Sequence, residues 1–100
     1  MRTINKIIAV DIDQTIFEAF DLKTGKSSIP NLKIINAINQ LYENNYIIIY
    51  SSRLEEDRFN TVRDLKSAGI KYHVLVLEKL KADCYIDDKA LNIQDIENIL

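Results

Sequence analysis

A chain of 100 residues is long enough for one modest core, burying about 65% of its unfolded surface by area scaling, and too short for two domains. Its 47% hydrophobic and 28% charged residues are those of an ordinary globular domain, which excludes a disordered or fibrous chain. The 13 basic and 15 acidic residues sum to −2, so the chain has no electrostatic footprint for a nucleic acid or an anionic membrane.

In chain order, Met1 to Lys6 lacks the charged-then-apolar layout of a signal peptide. It leads into a first apolar run, Ile7-Ile8-Ala9-Val10, which ends at Asp11-Ile12-Asp13. From Gln14 to Ile29 neither helical nor strand periodicity holds. This stretch carries Phe17, Phe20 and the turn-like Asp21-Leu22-Lys23-Thr24-Gly25-Lys26, and it reads either as a hairpin-like flap over about 14–29 or as a surface loop whose phenylalanines join the core. Pro30 then stands near the start of a helix whose apolar stripe is Leu32, Ile35, Ile38, Leu41 and Tyr42. The second run, Tyr46-Ile47-Ile48-Ile49-Tyr50, ends at Ser51-Ser52-Arg53. Ser52-x-x-Glu55 is the pattern of a helix cap, for a second helix carrying Phe59, Val62 and Leu65 and terminated by Gly69. The third run, Val74-Leu75-Val76-Leu77, meets Glu78-Lys79, and the fourth, Cys84-Tyr85-Ile86, meets Asp87-Asp88. Ile93, Ile96, Ile99 and Leu100 line a short last helix.

Runs that are apolar throughout, rather than alternating, predict strands covered on both faces, as in a parallel sheet. Strands alternating with helices predict a single layered α/β domain over 1–100 with right-handed crossovers. Cys84 is the only cysteine and His73 the only histidine, which excludes an intramolecular disulfide and zinc sites built on several Cys or His; both residues read as packing groups. No stretch approaches the roughly 20 apolar residues that span a bilayer. The expected location is reducing and cytoplasmic.

In open parallel α/β sheets, ligands sit beyond the carboxyl ends of the strands. Here that edge would carry Asp11, Asp13, Ser51, Lys79, Asp87 and Asp88. Clustered carboxylates repel one another unless a cation joins them, and oxygen-only ligation favours Mg²⁺ over Ca²⁺ or Zn²⁺. Period-two geometry turns Asp11 and Asp13 to the same side of an extended chain. The set suits phosphoryl transfer: one carboxylate attacks phosphorus, a second moves protons, and a hydroxyl and a lysine hold the non-bridging oxygens.

Asp11-Ile12-Asp13-Gln14-Thr15 resembles the first motif, Asp-x-Asp-x-Thr, of the haloacid dehalogenase (HAD)-like phosphatases. Ser51 matches their second motif, Lys79 the third, and Asp87-Asp88 the acidic fourth, in order and over nearly the whole chain. More narrowly, Ile48-Ile49-Tyr50-Ser51-Ser52-Arg53 and the stretch from Ala82 to Ala90 are similar to small bacterial phosphatases of sugar or polyol phosphates encoded with capsule or surface-polysaccharide genes. The resemblance implies a three-layer, Rossmann-like (HAD-like) fold, with Asp11 as nucleophile and Asp13 as general acid/base. It implies that Ser51 binds the phosphoryl group, that Lys79 neutralises both, and that Asp11, the Asp13 carbonyl and Asp87 hold Mg²⁺ with Asp88 in support. Thr15 would buttress the loop. Beside these, Ser52 and Arg53 are candidates to face the substrate anion, with an ordinary surface salt bridge as the equal alternative for Arg53. Gln14 stands where the family usually has Gly, and Leu80 where the narrower group tends to have Pro, which leaves Lys79 and Lys81 both open as the site lysine.

Neither the 14–29 segment nor the link from Glu78 to Asp83 has room for a cap domain, so the expected site is open. Selectivity would then come from the flap, from Arg53 or from a neighbouring subunit in a homo-oligomer. The expected partner is a small phosphorylated substrate, with no nucleic acid and no membrane. Two further readings stay open: a nucleotide or nucleic-acid-end phosphatase, and a non-catalytic phosphate-binding regulatory protein. A receiver-type domain would need its acceptor Asp where this chain has Ser51.

Overall fold

The strand β1 (Ile7–Val10) pairs in parallel with β4 (Tyr46–Tyr50), which pairs in parallel with β5 (Val74–Val76). Between β1 and β4 lie a two-stranded antiparallel hairpin, β2 (Phe20–Asp21) and β3 (Lys26–Ser27), and the helix α1 (Leu32–Tyr42). A 3₁₀ turn (Glu55–Asp57) and the helix α2 (Arg58–Ala68) join β4 to β5, and a 3₁₀ helix (Ile93–Ile99) closes the chain. This computed structural model describes residues 3–100; Met1 and Arg2, the start of the N-terminal stretch read above, lie outside the described residues. Among the described residues no helix is long and apolar enough to cross a membrane.

The order β1-β4-β5 advances in one direction across the sheet, so two right-handed crossovers put α1 and α2 on the same face. Side-chain burial agrees. Val10, Ile47, Ile49 and Leu75 share one core with Ile34, Ile35, Ile38 and Leu41 of α1 and Leu65 of α2. On the opposite face Ile7, Ala9, Tyr46, Tyr50, Val74 and Val76 are exposed. The expectation of strands covered on both faces, and of three layers, is therefore corrected among the described residues to a sheet with helices on one face.

Local signals explain much of each element. Asn31 caps α1, its Oδ1 accepting the Ile34 N–H, with Pro30 just outside; Ile35, Ile38 and Leu41 are buried as the stripe requires, while Leu32 is exposed. Gly69 ends α2 at φ +75, a left-handed conformation that glycine adopts without steric cost. The start of α2 departs from expectation. It begins at Arg58 with no side-chain cap, so Ser52-x-x-Glu55 is not a capping box here; Glu55, Glu56 and Asp57 instead place negative charge at the positive helix end. Its core-facing residues are Thr61 and Leu65, while Phe59 is 81% exposed and Val62 is exposed. The helix is turned because its inner face serves polar partners: Thr61 accepts from Arg53, Asp64 from the Ser27 amide, and Arg63 donates to the Gly25 carbonyl.

The fourth apolar run does not form a strand. Cys84, Tyr85 and Ile86 are exposed, Ile86 at 99%. The segment satisfies its polar groups locally instead: the Tyr85 hydroxyl bonds the Leu80 carbonyl, and Asp87 Oδ1 accepts the Lys89 N–H at 2.9 Å. Cys84 is thus not a packing residue. His73 is held between the rings of Tyr42 (4.4 Å) and Tyr46 (4.5 Å), and its Nδ1 accepts the Ile47 N–H. The last helix is 3₁₀, with Ile96, Ile99 and Leu100 resting on the core and Ile93 exposed.

Candidate functional site

An open cleft of about 690 Å³ lies at the carboxyl edge of the main sheet. Asp11 and Asp13 reach it from the end of β1 because Ile12, fully buried between them, anchors the chain in the core. After Asp13 the chain makes one tight turn in which the Ile12 carbonyl accepts from Thr15, Ile16 and Phe17. Gln14 adopts φ +63 in this turn, the left-handed region that glycine tolerates best.

Burial pushes the Asp11 carboxyl above its ordinary range, while the Ile12 amide and the Lys79 charge pull it down. Lys79 comes from beyond β5, where its N–H donates to the Ser51 carbonyl at 3.0 Å. Its ammonium lies 5.2 Å from the ring centre of Tyr50 and 4.8 Å from that of Tyr85. Lys81 also lines the cleft and is exposed, while Lys79 is half-buried beside it.

Asp13 is held by Arg53, whose Nη2 and Nε donate to its two carboxylate oxygens at 2.7 and 3.2 Å. The side chain of Arg53 is 2% exposed, and it also donates to Thr61 and Ser27 and lies under the Phe20 ring at 4.1 Å. Arg53 lines the cleft, and each of its three guanidinium nitrogens also bonds within the protein, its ion pair being with Asp13.

Ser51 is fully buried, its Oγ accepting the Arg53 N–H at 3.1 Å, and it is Ser52 that lines the cleft. Thr15 is half-buried beside a separate hollow of about 200 Å³ with Gln14, Phe17, Glu18 and Asn31. Asp87 and Asp88 are exposed and do not line the cleft; bonds from the Lys89 amide and the neighbouring Asp88 hold the Asp87 carboxyl low. Among the described residues no three His, Cys, Asp or Glu side chains come together to hold a metal.

The flap forms one wall. Its turn is built by Asp21, whose Oδ1 accepts from Lys23 and Thr24, and by Gly25 at φ +68. Phe17 joins the core and Phe20 covers Arg53, so the two phenylalanines divide between the two readings of this segment. Ala19, Phe20 and Leu22 line one side of the cleft, and Lys81, Ala82 and Tyr85 also line it. Asp57 and Tyr85 are lining residues that the sequence reading missed. Asp57 follows β4 at the same carboxyl edge, a position the strand-end rule covers; Tyr85 lies inside a run read as a strand.

No family model and no curated protein matches this chain. Among solved structures, the fold is similar to that of a structural-genomics target protein from Vibrio cholerae, with a TM-score of 0.79 at 18% identity over 95% of this chain and 89% of that one. At that identity the likeness is one of fold: a small α/β domain with a parallel three-stranded sheet.

Proposed function

We propose that the protein is a HAD-like phosphomonoester hydrolase, Mg²⁺-dependent, acting on a small sugar or polyol phosphate through an aspartyl-phosphate at Asp11. The observation that carries this reading is that Asp11, Asp13 and Lys79 line one cleft at the strand ends. A carboxylate oxygen of Asp11 attacks phosphorus, the bond from phosphorus to the leaving oxygen breaks, and that oxygen takes up a proton. Water then attacks the phosphorus of the acyl-phosphate and gives up a proton, releasing phosphate and restoring Asp11. Asp13, which lines the same cleft, is assigned both proton movements, and Lys79 the charge on the non-bridging oxygens.

The donors in the cleft fit a divalent ion only in part. Asp11 and Asp13 are hard oxygen ligands, but Asp13 already accepts two bonds from Arg53, and Asp87 and Asp88 stand outside. Mg²⁺ enters the proposal on the chemistry of this acidic, oxygen-only set.

Phosphate release from an aryl phosphate, and from a panel of sugar, polyol and nucleotide phosphates, tests the reading with Mg²⁺ and with chelator. Release that needs Mg²⁺ and is lost in Asp11→Asn is the expected result. Full activity in Asp11→Asn rejects the nucleophile. Indifference to chelation removes the ion while leaving Asp11, and a preference for nucleotides replaces the substrate class.

A further inference from the structure

Arg53 takes no part in the chemistry proposed for Asp11, yet every nitrogen of its guanidinium is bonded. Nε and Nη2 grip both oxygens of Asp13, Nη1 donates to Thr61 Oγ1 at 3.2 Å on α2, and Nη2 donates to Ser27 Oγ at 3.0 Å on the flap. The flap's Phe20 covers the guanidinium face. A planar fork matched to one carboxylate sets that carboxylate's direction as well as its charge; here the guanidinium is buried while the Asp13 side chain stays 34% exposed.

The flap has other ties, and they lead elsewhere. Asp64 Oδ2 accepts the Ser27 N–H at 2.9 Å, and Arg63 Nη2 donates to the Gly25 carbonyl at 3.3 Å; both fasten the hairpin to α2 without reaching Asp13. Among the described side-chain bonds, Arg53 is the group that touches both the flap and Asp13. The two halves also hold one another's geometry. Without the flap, Arg53 loses Ser27 and the Phe20 cover and meets water, which loosens its hold on Asp13. Without the Asp13 carboxylate, a buried cation loses its counter-charge and the stack over it is strained.

We propose that Arg53 is a positioning residue that couples docking of the flap to the orientation of Asp13, so that Asp13 points into the cleft in its working direction only when the flap is down. The catalytic half of this inference rests on the hydrolase reading; the coupling does not. Because coupling between two sites is reciprocal, altering Asp13 must free the flap, and altering the flap must disturb Asp13.

Trypsin cleavage after Lys23 and Lys26 in the flap reads the first direction without any assay of activity. Asp13→Asn and Arg53→Lys are expected to be cleaved there at least about tenfold faster than the wild type, with cooperative thermal unfolding retained. Wild-type cleavage rates in both variants overturn the coupling. The second direction uses Ser27→Ala, which removes the hydrogen bond from Arg53 to the flap, together with the Ser27 side-chain bond to Asp64, and lies outside the cleft. Its kcat on an aryl phosphate is expected to fall about tenfold or more with KM nearly unchanged, as a misdirected proton-transfer group predicts. In Arg53→Ala, guanidinium ion and not sodium restores kcat and slows flap cleavage; if that variant does not fold, Ser27→Ala and Asp13→Asn carry the test. An unchanged kcat in Ser27→Ala reduces Arg53 to a partner of Asp13 alone and overturns the proposal. A wild type that hydrolyses no phosphomonoester rejects the hydrolase reading, and the cleavage rates still decide the coupling.

Discussion

Lys79 holds its ammonium 4.8 Å from the ring centre of Tyr85, a residue six positions further along the same irregular segment. Tyr50, at the end of β4, approaches from 5.2 Å. Among the described residues Lys79 is bonded in no ion pair, so aromatic faces locate the cation while its charge remains available to Asp11 and to an anionic substrate.

This arrangement separates two effects. Lys79→Ala removes the cation and is expected to lower kcat/KM on an aryl phosphate by about 100-fold or more. Tyr85→Phe keeps the ring beside Lys79 and removes the hydroxyl's bonds to Leu80 and Ala82, whereas Tyr85→Leu also removes the cation–π contact, about 0.5–1 kcal/mol at an exposed site. The difference between the two is expected to be a few-fold, chiefly in KM. Steady-state kinetics of the three variants check the contrast; a loss in Tyr85→Leu equal to that in Lys79→Ala would place Tyr85 on the substrate instead.

Asp11 sets the pH behaviour. Burial raises its carboxyl above the ordinary aspartate value in the folded chain, with the Ile12 amide and Lys79 opposing. The nucleophile proposed at Asp11 would have to be ionised, so on that proposal the acid limb of the kcat/KM profile is expected above the range of an exposed aspartate. Lys79→Ala should move that limb higher still.

The same shift has a consequence for stability. A raised folded-state value means that the contribution of Asp11 is fully present below its unfolded value and is lost as pH rises through the folded value. At neutral pH the ionised Asp11 is therefore a cost to the fold. Asp11→Asn is expected to melt at or above the wild-type temperature while losing activity by about a thousandfold or more. A marked drop in Tm would show that the carboxylate is held by stabilising contacts instead.

Gln14 occupies the left-handed region at φ +63 in the turn after Asp13. A side chain there costs about 1 kcal/mol that glycine avoids. Gln14→Gly is expected to raise Tm by about 5 °C, measured by thermal unfolding; a fall would mean that contacts of the Gln14 side chain outweigh the backbone term.

Gly25 is buried at φ +68, and a Cβ there would collide with the Asn60 side-chain amide. Gly25→Ala is expected to weaken the flap turn by about 1 kcal/mol. Amide exchange at Ser28, whose N–H bonds the Ala19 carbonyl across the hairpin, should quicken several-fold while exchange in α1 stays unchanged.

Where the strands end, and with them the places of Asp11, Asp13 and Lys79, was legible because an apolar run followed by a polar residue is a contrast between chain neighbours. Ile12 between two aspartates fixes which way each points as soon as the middle residue is buried. The cap of α1 at Asn31 and the stop at Gly69 were readable in part for the same reason, since each is decided within one helical turn. The failures share a different cause. Phe59 and Val62 have the spacing of a core stripe, but the bonds from α2 to Arg53, Ser27 and Gly25 turn that helix, and those partners lie well outside its own periodicity. Cys84-Tyr85-Ile86 is a three-residue run, too short for its pattern to outweigh local side-chain bonds.

Chain-local chemistry thus settled which residues carry charge at the strand ends and which faces turn inward. What it left open was the partnership between them. Arg53 and Asp13 stand 40 residues apart, and Ser51 and Arg53 only two; neither pairing has a periodic signal. Ser51 turned inward, Arg53 became an internal tie and Asp87 stayed in solvent because hydrogen-bond geometry and burial act over a few ångströms of space, whatever the separation along the chain.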